Sequence, residues 1–192
     1  PADPAIPVVE RIRAEFPGRD ITLVVDPRVI GANRKVCSLA NMLPRAKHDL
    51  IVISDGDMRV GPDYLKKVIA AFADPSVGAA TCLYRGRPSG NLPSRLGAMF
   101  INEWFLPSAL LPAVFGRLSY CFGATMAIRR DVLEAIGSFE ALADRLADDY
   151  MLGNRAARQG YGVALVPCLV DTQVVDPSVK DLFLHELRWA RT

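Results

Sequence analysis

The sequence predicts an α/β domain with a mostly parallel twisted sheet and helices on both faces of the sheet. Apolar runs of strand length alternate with segments whose apolar residues recur at helical spacing, which is typical of that class. Hydrophobic residues make up 51% and charged residues 23% of the 192 residues, which permits a substantial core and argues against disorder. No linker-like or repetitive segment divides the chain, so residues 1–192 are expected to form one domain.

Three helices and three strands are predicted in the first half of the chain. The first helix spans residues 4–16, where apolar residues recur at helical spacing and Pro17-Gly18 ends the pattern. The second and third helices are predicted at 35–46 and 62–73, the third beginning on a proline, which is favoured in a first helical turn. The predicted strands are the apolar runs 21–25, 49–54 and 77–84.

The second half begins with a predicted loop at 85–94, which is rich in Gly, Pro, Ser and Arg. A strand is predicted at 119–128, with Gly123-Ala124 inside it, and a glycine there indicates a bulge or a close approach of a ligand to the backbone. The remaining elements are a short helix at 130–136, a helix at 147–159 closed by Gly160, two short strands, and a last helix capped by Ser178. The two short strands are 163–166 and 169–175.

Charge and cysteine content give no support for a nucleic-acid partner or for a zinc or redox site. The formal net charge is +2 and the basic residues are scattered, so no nucleic-acid partner is expected. The four cysteines, at positions 37, 82, 121 and 168, form no C-x-x-C pair. A zinc or redox site therefore lacks the spacing it needs, and free buried thiols are expected.

Hydropathy leaves the relation to membranes open. No signal peptide and no run of about 18 apolar residues is present, so no segment is expected to span a bilayer. The mean hydropathy is nevertheless +0.17. Residues 104–115 are strongly apolar but interrupted by Pro107 and Pro112, and they form either a pair of core helices or a surface that lies on lipid. The abrupt ends suggest a segment of a longer protein.

The motif Asp55-Gly56-Asp57 follows directly after the predicted strand at 49–54. Open α/β sheets bind ligands at the carboxyl ends of their strands. A hard divalent cation takes oxygen ligands and is often held by one or two carboxylates together with substrate phosphates. The motif therefore indicates a metal-diphosphate site, although D-x-D also occurs by chance in acidic turns.

Two further groups of residues could carry chemistry. Asp148-Asp149 begins a predicted helix, where two acids either complement the helix dipole or supply a general base. His185, Arg188 and Trp189 lie on the last predicted helix. They either belong to an ordinary amphipathic helix, with the tryptophan in the core, or form a site. In a site, an arginine would stabilise a departing diphosphate and a tryptophan would hold a sugar or acceptor face.

The order and spacing of these motifs resemble the GT-A glycosyltransferases of the family-two kind. Those proteins carry a D-x-D, a later E-D or D-D acid, and a Q/R-x-x-R-W motif. More narrowly, the chain resembles the ceramide glucosyltransferase-like branch, which includes bacterial enzymes that glycosylate hopanoids. The first position of the last motif is His185 instead of Gln or Arg, which that branch tolerates. The segments that carry the likeness are 3–6, 31–36, 55–60, 123–126, 147–150 and 185–189.

The resemblance implies a role for each matching residue. Asp57 would ligate the metal, and Asp55 would contact either the metal or the ribose of the nucleotide. Asp149 would be the catalytic base, with Asp148 orienting it. His185, Arg188 and Trp189 would complete the catalytic set. The residues implied in nucleotide binding, besides Asp55, are Asp3 at the uridine, Asn33, Lys35, Gly123 and Ala124. Lys35 has the alternative of a solvated helix start.

The resemblance also implies a function and a location. The expected activity is inverting transfer of a sugar from a UDP-sugar to a hydroxyl of a ceramide- or hopanoid-type lipid, with Mg²⁺ or Mn²⁺. The expected location is a membrane surface, on the cytoplasmic face of a bacterial inner membrane. The chain is expected to be a catalytic domain fragment without the family's first strand and flanking membrane helices. The alternatives are a non-catalytic nucleotide- or lipid-binding relative, a polysaccharide synthase domain and, less directly, a nucleotidyltransferase.

Overall fold

The computed structural model describes residues 3–116 and 118–191. Within these residues the chain forms eight α-helices and five strands. The helices are α1 (Ala5–Glu15), α2 (Arg34–Met42), α3 (Tyr64–Ala70), α4 (Leu92–Phe100), α5 (Leu106–Phe115), α6 (Arg130–Ala135), α7 (Asp148–Arg158) and α8 (Val179–Trp189). The strands are β1 (Leu50–Ser54), β2 (Met58–Arg59), β3 (Val77–Pro88), β4 (Thr125–Arg129) and β5 (Gly162–Val174).

The strands form one sheet in the order β1-β4-β3-β5-β2. Only the β3–β5 pairing is parallel among the described strands, and the other three pairings are antiparallel. The predicted α/β class is confirmed, but the mostly parallel sheet is wrong for the described residues, where the sheet is mixed. Apolar runs reveal that a strand is buried and not which way it runs. The predicted strand at 21–25 has no regular secondary structure.

Helices cover both faces of the sheet, as predicted. On one face α2, α6 and α7 pack on the sheet around Val36, Leu133 and Leu152. On the other face α3 packs through Tyr64 and Val68. Consecutive residues of β4 divide between the two faces, since Met126 and Ile128 join the first cluster and Ala127 joins the second. This two-sided burial explains why the strands appear in the sequence as continuous apolar runs.

Three polar residues begin helices by accepting a hydrogen bond from a backbone amide. Ser178 caps α8, as predicted, by accepting from the Asp181 amide at 3.3 Å. Asn33 caps α2 and Asn91 caps α4, accepting from the amides of Val36 and Ser94 at 3.2 and 2.9 Å. Each cap satisfies an amide that has no partner within its helix, which fixes where the helix starts.

Three predicted boundaries are wrong. The predicted loop at 85–94 is the end of β3 followed by the start of α4. The two predicted strands after 162 are one strand, β5, whose register against β3 shifts between Thr81 and Leu83. A bulge at this point accommodates Pro167, which cannot donate to a regular ladder. The predicted strand at 119–128 is regular only from Thr125, so Gly123-Ala124 lies in the turn before β4.

The apolar stretch predicted at 104–115 belongs to a continuous helical region. A π-helical segment, Ile101–Phe105, joins α4 to α5. Ala109 is buried, whereas Trp104 is 62% exposed and Leu111 is 58% exposed. The stretch is therefore partly core and partly surface. No helix in the described part of the chain is long and apolar enough to cross a bilayer. The four cysteines are free thiols. Cys168 is partly exposed, and the other three are buried.

Candidate active site

A cleft of about 720 Å³ lies at the carboxyl end of β1, between the starts of α2 and α7 and the end of α8. Most of the residues predicted to form a site line this cleft. They are Lys35, Asp55, Asp57, Gly123, Ala124, Asp148, Asp149, His185, Arg188 and Trp189. Residues far apart in the sequence therefore converge on one concave surface, which is where a ligand is expected in a sheet of this kind.

Asp57 is held by the pairing of the two-residue strand β2 with β5. The Thr172 hydroxyl donates to Asp57 Oδ2 at 3.2 Å, and the Gln173 amide donates to the Asp57 carbonyl at 3.2 Å. Thr172 is opposite Met58 in the ladder and also lines the cleft. Thr172 was not predicted, because only the folded sheet brings β5 to the D-x-D turn.

Lys35 is a half-buried cation among the acids of the cleft. Its Nζ lies 2.8 Å from Asp55 Oδ1 and 3.7 Å from Asp148 Oδ2. Burial by itself lowers the pKa of Lys35, but the hydrogen bond to Asp55 and the negative charge of Asp148 outweigh burial and raise it. The ammonium therefore stays charged. Lys35 lines the cleft from the first turn of α2, and its side chain remains 32% exposed.

Asp148 is tied to the start of α2. The side-chain Nδ2 of Asn33 donates to Asp148 Oδ1 at 3.1 Å and to the Arg145 carbonyl at 2.7 Å. Asp148 Oδ2 is buried without a hydrogen-bond partner among the described residues, and Lys35 supplies its nearest opposite charge. Asn33 does not line the cleft, so the structure places it behind Asp148.

Asp149 lines the cleft, and its surroundings raise its pKa. Its Oδ1 accepts from the Tyr150 amide at 2.8 Å. Burial raises the pKa of Asp149, and the negative charge of Asp148 adds to that rise, although the Tyr150 amide and Lys35 oppose it. A Cβ at position 123 would lie 3.1 Å from Asp149 Oδ2, so Gly123 leaves room beside this carboxylate. A carboxylate of raised pKa is a stronger base than an exposed one.

The backbone behind Asp149 is packed too closely to admit a side chain at position 153. A Cβ at Gly153 would lie 2.5 Å from the Cys121 amide nitrogen and 2.6 Å from Tyr120 Cα. Helix α7 therefore contacts the segment that leads into the Gly123 turn. This contact fixes Asp149 relative to Gly123, and the sequence predicted no role for Gly153.

Trp189, at the end of α8, packs against a cluster of aromatic rings at the cleft. The Trp189 ring lies 6.1 Å from Phe105 and 6.3 Å from Tyr84, and Phe105 lies 5.8 Å from Phe122. Trp189 both packs on a core cluster and lines the cleft, so the two interpretations of this residue are compatible. Arg188 is exposed at the cleft surface.

Tyr84 is a cleft residue that the sequence did not reveal. It lies on β3, and its ring is 4.8 Å from that of Phe105. Burial raises the pKa of the Tyr84 phenol, and the charges of Asp149, Asp55 and Asp57 raise it further. The phenol therefore remains protonated at neutral pH and can serve as a hydrogen-bond donor.

Asp3 lies outside the cleft lining. Its Oδ1 accepts from the Ala5 amide at 2.8 Å at the start of α1, a helix that has no buried residue. The implied contact of Asp3 with uridine stays a prediction.

The donor set suits a hard divalent cation that also binds phosphate. Among the described residues, no three His, Cys, Asp or Glu side chains are placed to hold a metal ion by themselves. Asp55 and Asp57 offer two carboxylates on one turn. Mg²⁺ commonly takes one or two protein carboxylates and completes its shell with phosphate oxygens and water. The residues present therefore fit an ion that arrives with a diphosphate.

The fold is shared with a solved glycosyltransferase. The mannosyltransferase PcManGT from Pyrobaculum calidifontis, solved in complex with GDP-Man and Mn²⁺, matches with a TM-score of 0.73 and 24% identity. The match covers 99% of this chain and 49% of that chain. The mixed sheet and its cleft thus define a domain of the GT-A glycosyltransferase fold.

The chain belongs to glycosyl transferase family 21, whose family model matches residues 1–192. Two curated relatives are N-acetylglucosaminyltransferases. The one from Rhizobium leguminosarum bv. viciae is 24% identical over 175 residues, covering 86% of this chain and 40% of the relative. The one from Rhizobium meliloti (strain 1021) is 25% identical over 195 residues, covering 96% and 44%. The chain therefore spans less than half the length of these relatives. The family assignment confirms the resemblance drawn from the motifs.

Proposed function

We propose that this chain is the catalytic core of an inverting glycosyltransferase that moves a sugar from a UDP-sugar to a hydroxyl of a lipid acceptor. One observation carries the proposal. The D-x-D acids, the half-buried Asp149 and the Arg188-Trp189 pair line a single cleft. These are the groups that a diphosphate-sugar donor and an attacking hydroxyl require.

The diphosphate of the donor would bind at Asp55 and Asp57. Asp57, held by Thr172, would ligate the divalent cation, and Asp55 would contact either the cation or the ribose. When bound, the cation supplies charge neutralisation of the diphosphate. Lys35 and Arg188 add two positive charges to the same cleft. The Mn²⁺ and GDP-Man in PcManGT, a protein of the same fold, support a metal and a nucleotide-sugar here.

Asp149 would act as the base of a single displacement. Its carboxylate takes the proton of the acceptor hydroxyl while the hydroxyl oxygen bonds to the anomeric carbon. The bond from that carbon to the diphosphate oxygen breaks on the opposite face, and the diphosphate leaves with the electron pair. Arg188 stabilises the charge that develops on it. One base suffices, and the configuration of the sugar is inverted.

The apolar side of the cleft supports a lipid acceptor. Phe100 and Trp104 line it with their rings stacked at 5.0 Å, and Trp104 is 62% exposed. Leu146 borders the same cleft and is exposed. An aromatic platform beside a polar reaction centre matches an amphiphile whose hydroxyl reacts while its chains remain apolar. We place the reaction at the cytoplasmic face of a membrane, where such an acceptor resides.

A transfer assay on the full-length protein tests this function. UDP-glucose, UDP-N-acetylglucosamine and GDP-mannose would each be supplied with Mn²⁺ and ceramide or a hydroxylated hopanoid in detergent micelles. We expect one glycolipid product from a UDP-sugar, and loss of about 10³-fold or more in kcat with Asp149→Asn. Asp63→Asn is the matched control, because Asp63 is an exposed carboxylate whose side chain makes no capping bond. Unchanged turnover in Asp149→Asn would remove the assigned base.

A second candidate is a polysaccharide synthase domain, which would use the same cleft for its donor and its base. Product length separates the two functions. One sugar on each acceptor supports lipid glycosylation, and a ladder of products differing by one sugar supports the synthase. Tight UDP binding without transfer to either acceptor would indicate a non-catalytic relative.

A further inference from the structure

A buried carboxylate with no role in the proposed chemistry lies behind the cleft. Asp176, in the segment between β5 and α8, is 4% exposed. Its Oδ2 is buried without a hydrogen-bond partner among the described residues. Its Oδ1 lies 3.3 Å from Nδ1 of His185, which is a residue of the cleft lining. A buried carboxylate is costly to maintain unless it is paired, so this position needs an explanation.

The backbone of Asp176 is fixed independently of its side chain. Its amide donates to Ser94 Oγ at 2.9 Å. Its carbonyl accepts from Asn91 Nδ2 at 3.0 Å and from Ser94 Oγ at 3.3 Å. A Cβ at Gly97 would lie 3.0 Å from Asp176 Oδ2, so the glycine leaves room for the carboxylate against α4. These contacts hold the carboxylate in one place, facing α8.

The contact with Asp176 determines which ring nitrogen of His185 carries a proton. When the carboxylate of Asp176 accepts this hydrogen bond, Nδ1 of His185 is the donor and the tautomer of the ring is set. Nε2 lies on the far edge of the ring from the carboxylate. The ring also lies edge-on to Trp189, with centroids 5.3 Å apart, which restricts its rotation. In that tautomer Nε2 carries the lone pair, on a ring that lines the cleft.

We propose that Asp176 is a positioning residue that holds His185 with Nδ1 protonated, so that Nε2 accepts a hydrogen bond from the hydroxyl of the sugar acceptor. Asp149 remains the group that takes the proton, and His185 orients the hydroxyl toward the anomeric carbon. Only the identity of the bound hydroxyl rests on the proposed function. Orientation of a nucleophile raises the rate by reducing the entropy lost in reaching the transition state.

Nuclear magnetic resonance tests the His185 tautomer by a measurement that does not depend on sugar transfer. The chain has two histidines, and the other, His48, is exposed and serves as an internal reference. In ¹⁵N-histidine-labelled full-length protein above pH 7, we expect long-range ¹H–¹⁵N spectra to show His185 with Nδ1 protonated. In Asp176→Ala, which retains the backbone bonds to Asn91 and Ser94, the ring should return to the mixture shown by His48. A wild-type ring protonated at Nε2 would overturn the proposal.

Kinetics with ceramide as the probe acceptor test the positioning role. We expect Asp176→Ala and His185→Ala each to lower kcat/KM for ceramide about tenfold, and the double variant to be no worse than His185→Ala. The UDP dissociation constant, measured by calorimetry, should stay unchanged in all three. Additive losses, or weakened UDP binding, would overturn the positioning role.

Asp181→Asn is the control for general damage to α8. Asp181 bonds the Ser178 hydroxyl at 2.6 Å on the same helix, so this variant lowers stability without touching His185. We expect its tautomer and its kinetics to match the wild type. Absence of transfer by the wild type to any acceptor would remove the proposed function, while the tautomer would still decide whether Asp176 holds His185.

Discussion

At the scale of single residues, the charges in the cleft depend on which carboxylates have a cationic partner. Asp55 and Asp148 share Lys35, at 2.8 and 3.7 Å. Asp149 has no ion-pair partner within that distance among the described residues, and burial raises its pKa. The charged lysine and the two acids beside it therefore serve binding. The third acid, whose pKa is raised, serves proton transfer.

Asp149 should destabilise the folded protein while it serves the reaction. A carboxylate whose pKa is raised on folding binds its proton more tightly in the native state. The stability therefore falls as pH rises from the unfolded pKa, near 3.8, through the raised native pKa, and the loss is complete above it. We expect Asp149→Asn to raise Tm by about 2–4 °C at pH 7.5. Calorimetric scans across pH would show the gain shrink as pH falls. A lower Tm at pH 7.5 would contradict this origin of the pKa shift.

The D-x-D, the Asp148-Asp149 pair and the last motif could be found in the sequence because each is a local pattern of chemically specific residues. Thr172, Tyr84 and Asp176 could not. Each acts through a partner more than eight residues away along the chain, and their residue types are common on strands and in loops. Thr172 meets Asp57 only through the pairing of β2 with β5.

At the scale of elements, the position of α7 decides where the proposed base lies. The first two residues of α7 are Asp148 and Asp149, and the helix packs against residues 120–121 at Gly153. Replacing a helical glycine by alanine normally stabilises a helix by about 1 kcal/mol. Here the added methyl group would meet backbone atoms 2.5–2.6 Å away, which cannot rotate aside.

We therefore expect Gly153→Ala to destabilise the protein by about 2 kcal/mol, because overpacking outweighs the gain in helix propensity. Urea unfolding would measure the change. Gly61→Ala is a suitable control, since a Cβ there meets nothing within 4 Å. Sugar transfer should also fall in Gly153→Ala, because the displaced helix carries Asp149 away from Gly123. A stability equal to or above that of the wild type would show that α7 is not held at this point.

Local patterns predicted the existence of most elements and not their pairing. Residues 50–54 and the Ser178 cap were identified from apolar runs and capping chemistry. The direction of the strands was not, because antiparallel β1–β4 and β3–β4 pairings depend on the path of the connecting chain. The loop predicted at 85–94 failed because Gly and Pro also occur at the end of a strand, where β3 extends to Pro88.

At the scale of the whole molecule, helices pack on the two faces of the mixed sheet, whereas the cleft lies beyond the carboxyl end of β1. Helices cover both faces, so the strand ends and the turns that follow them carry the polar residues. The cleft joins three segments that the sequence separates widely: the turn after β1, the start of α7 and the end of α8. Aromatic contacts from Trp189 through Phe105 to Phe122 connect α8 to the turn that contains Gly123.

The most direct test of the central claim, that one cleft holds both the donor and the base, is a crystal structure of the full-length protein with UDP and Mn²⁺. We expect the ion to be bound by Asp57 and diphosphate oxygens, the diphosphate to lie between the D-x-D turn and Arg188, and Asp149 to face the vacant sugar position. Nucleotide bound away from Asp55 and Asp57, or an ion with no aspartate ligand from that turn, would contradict the account.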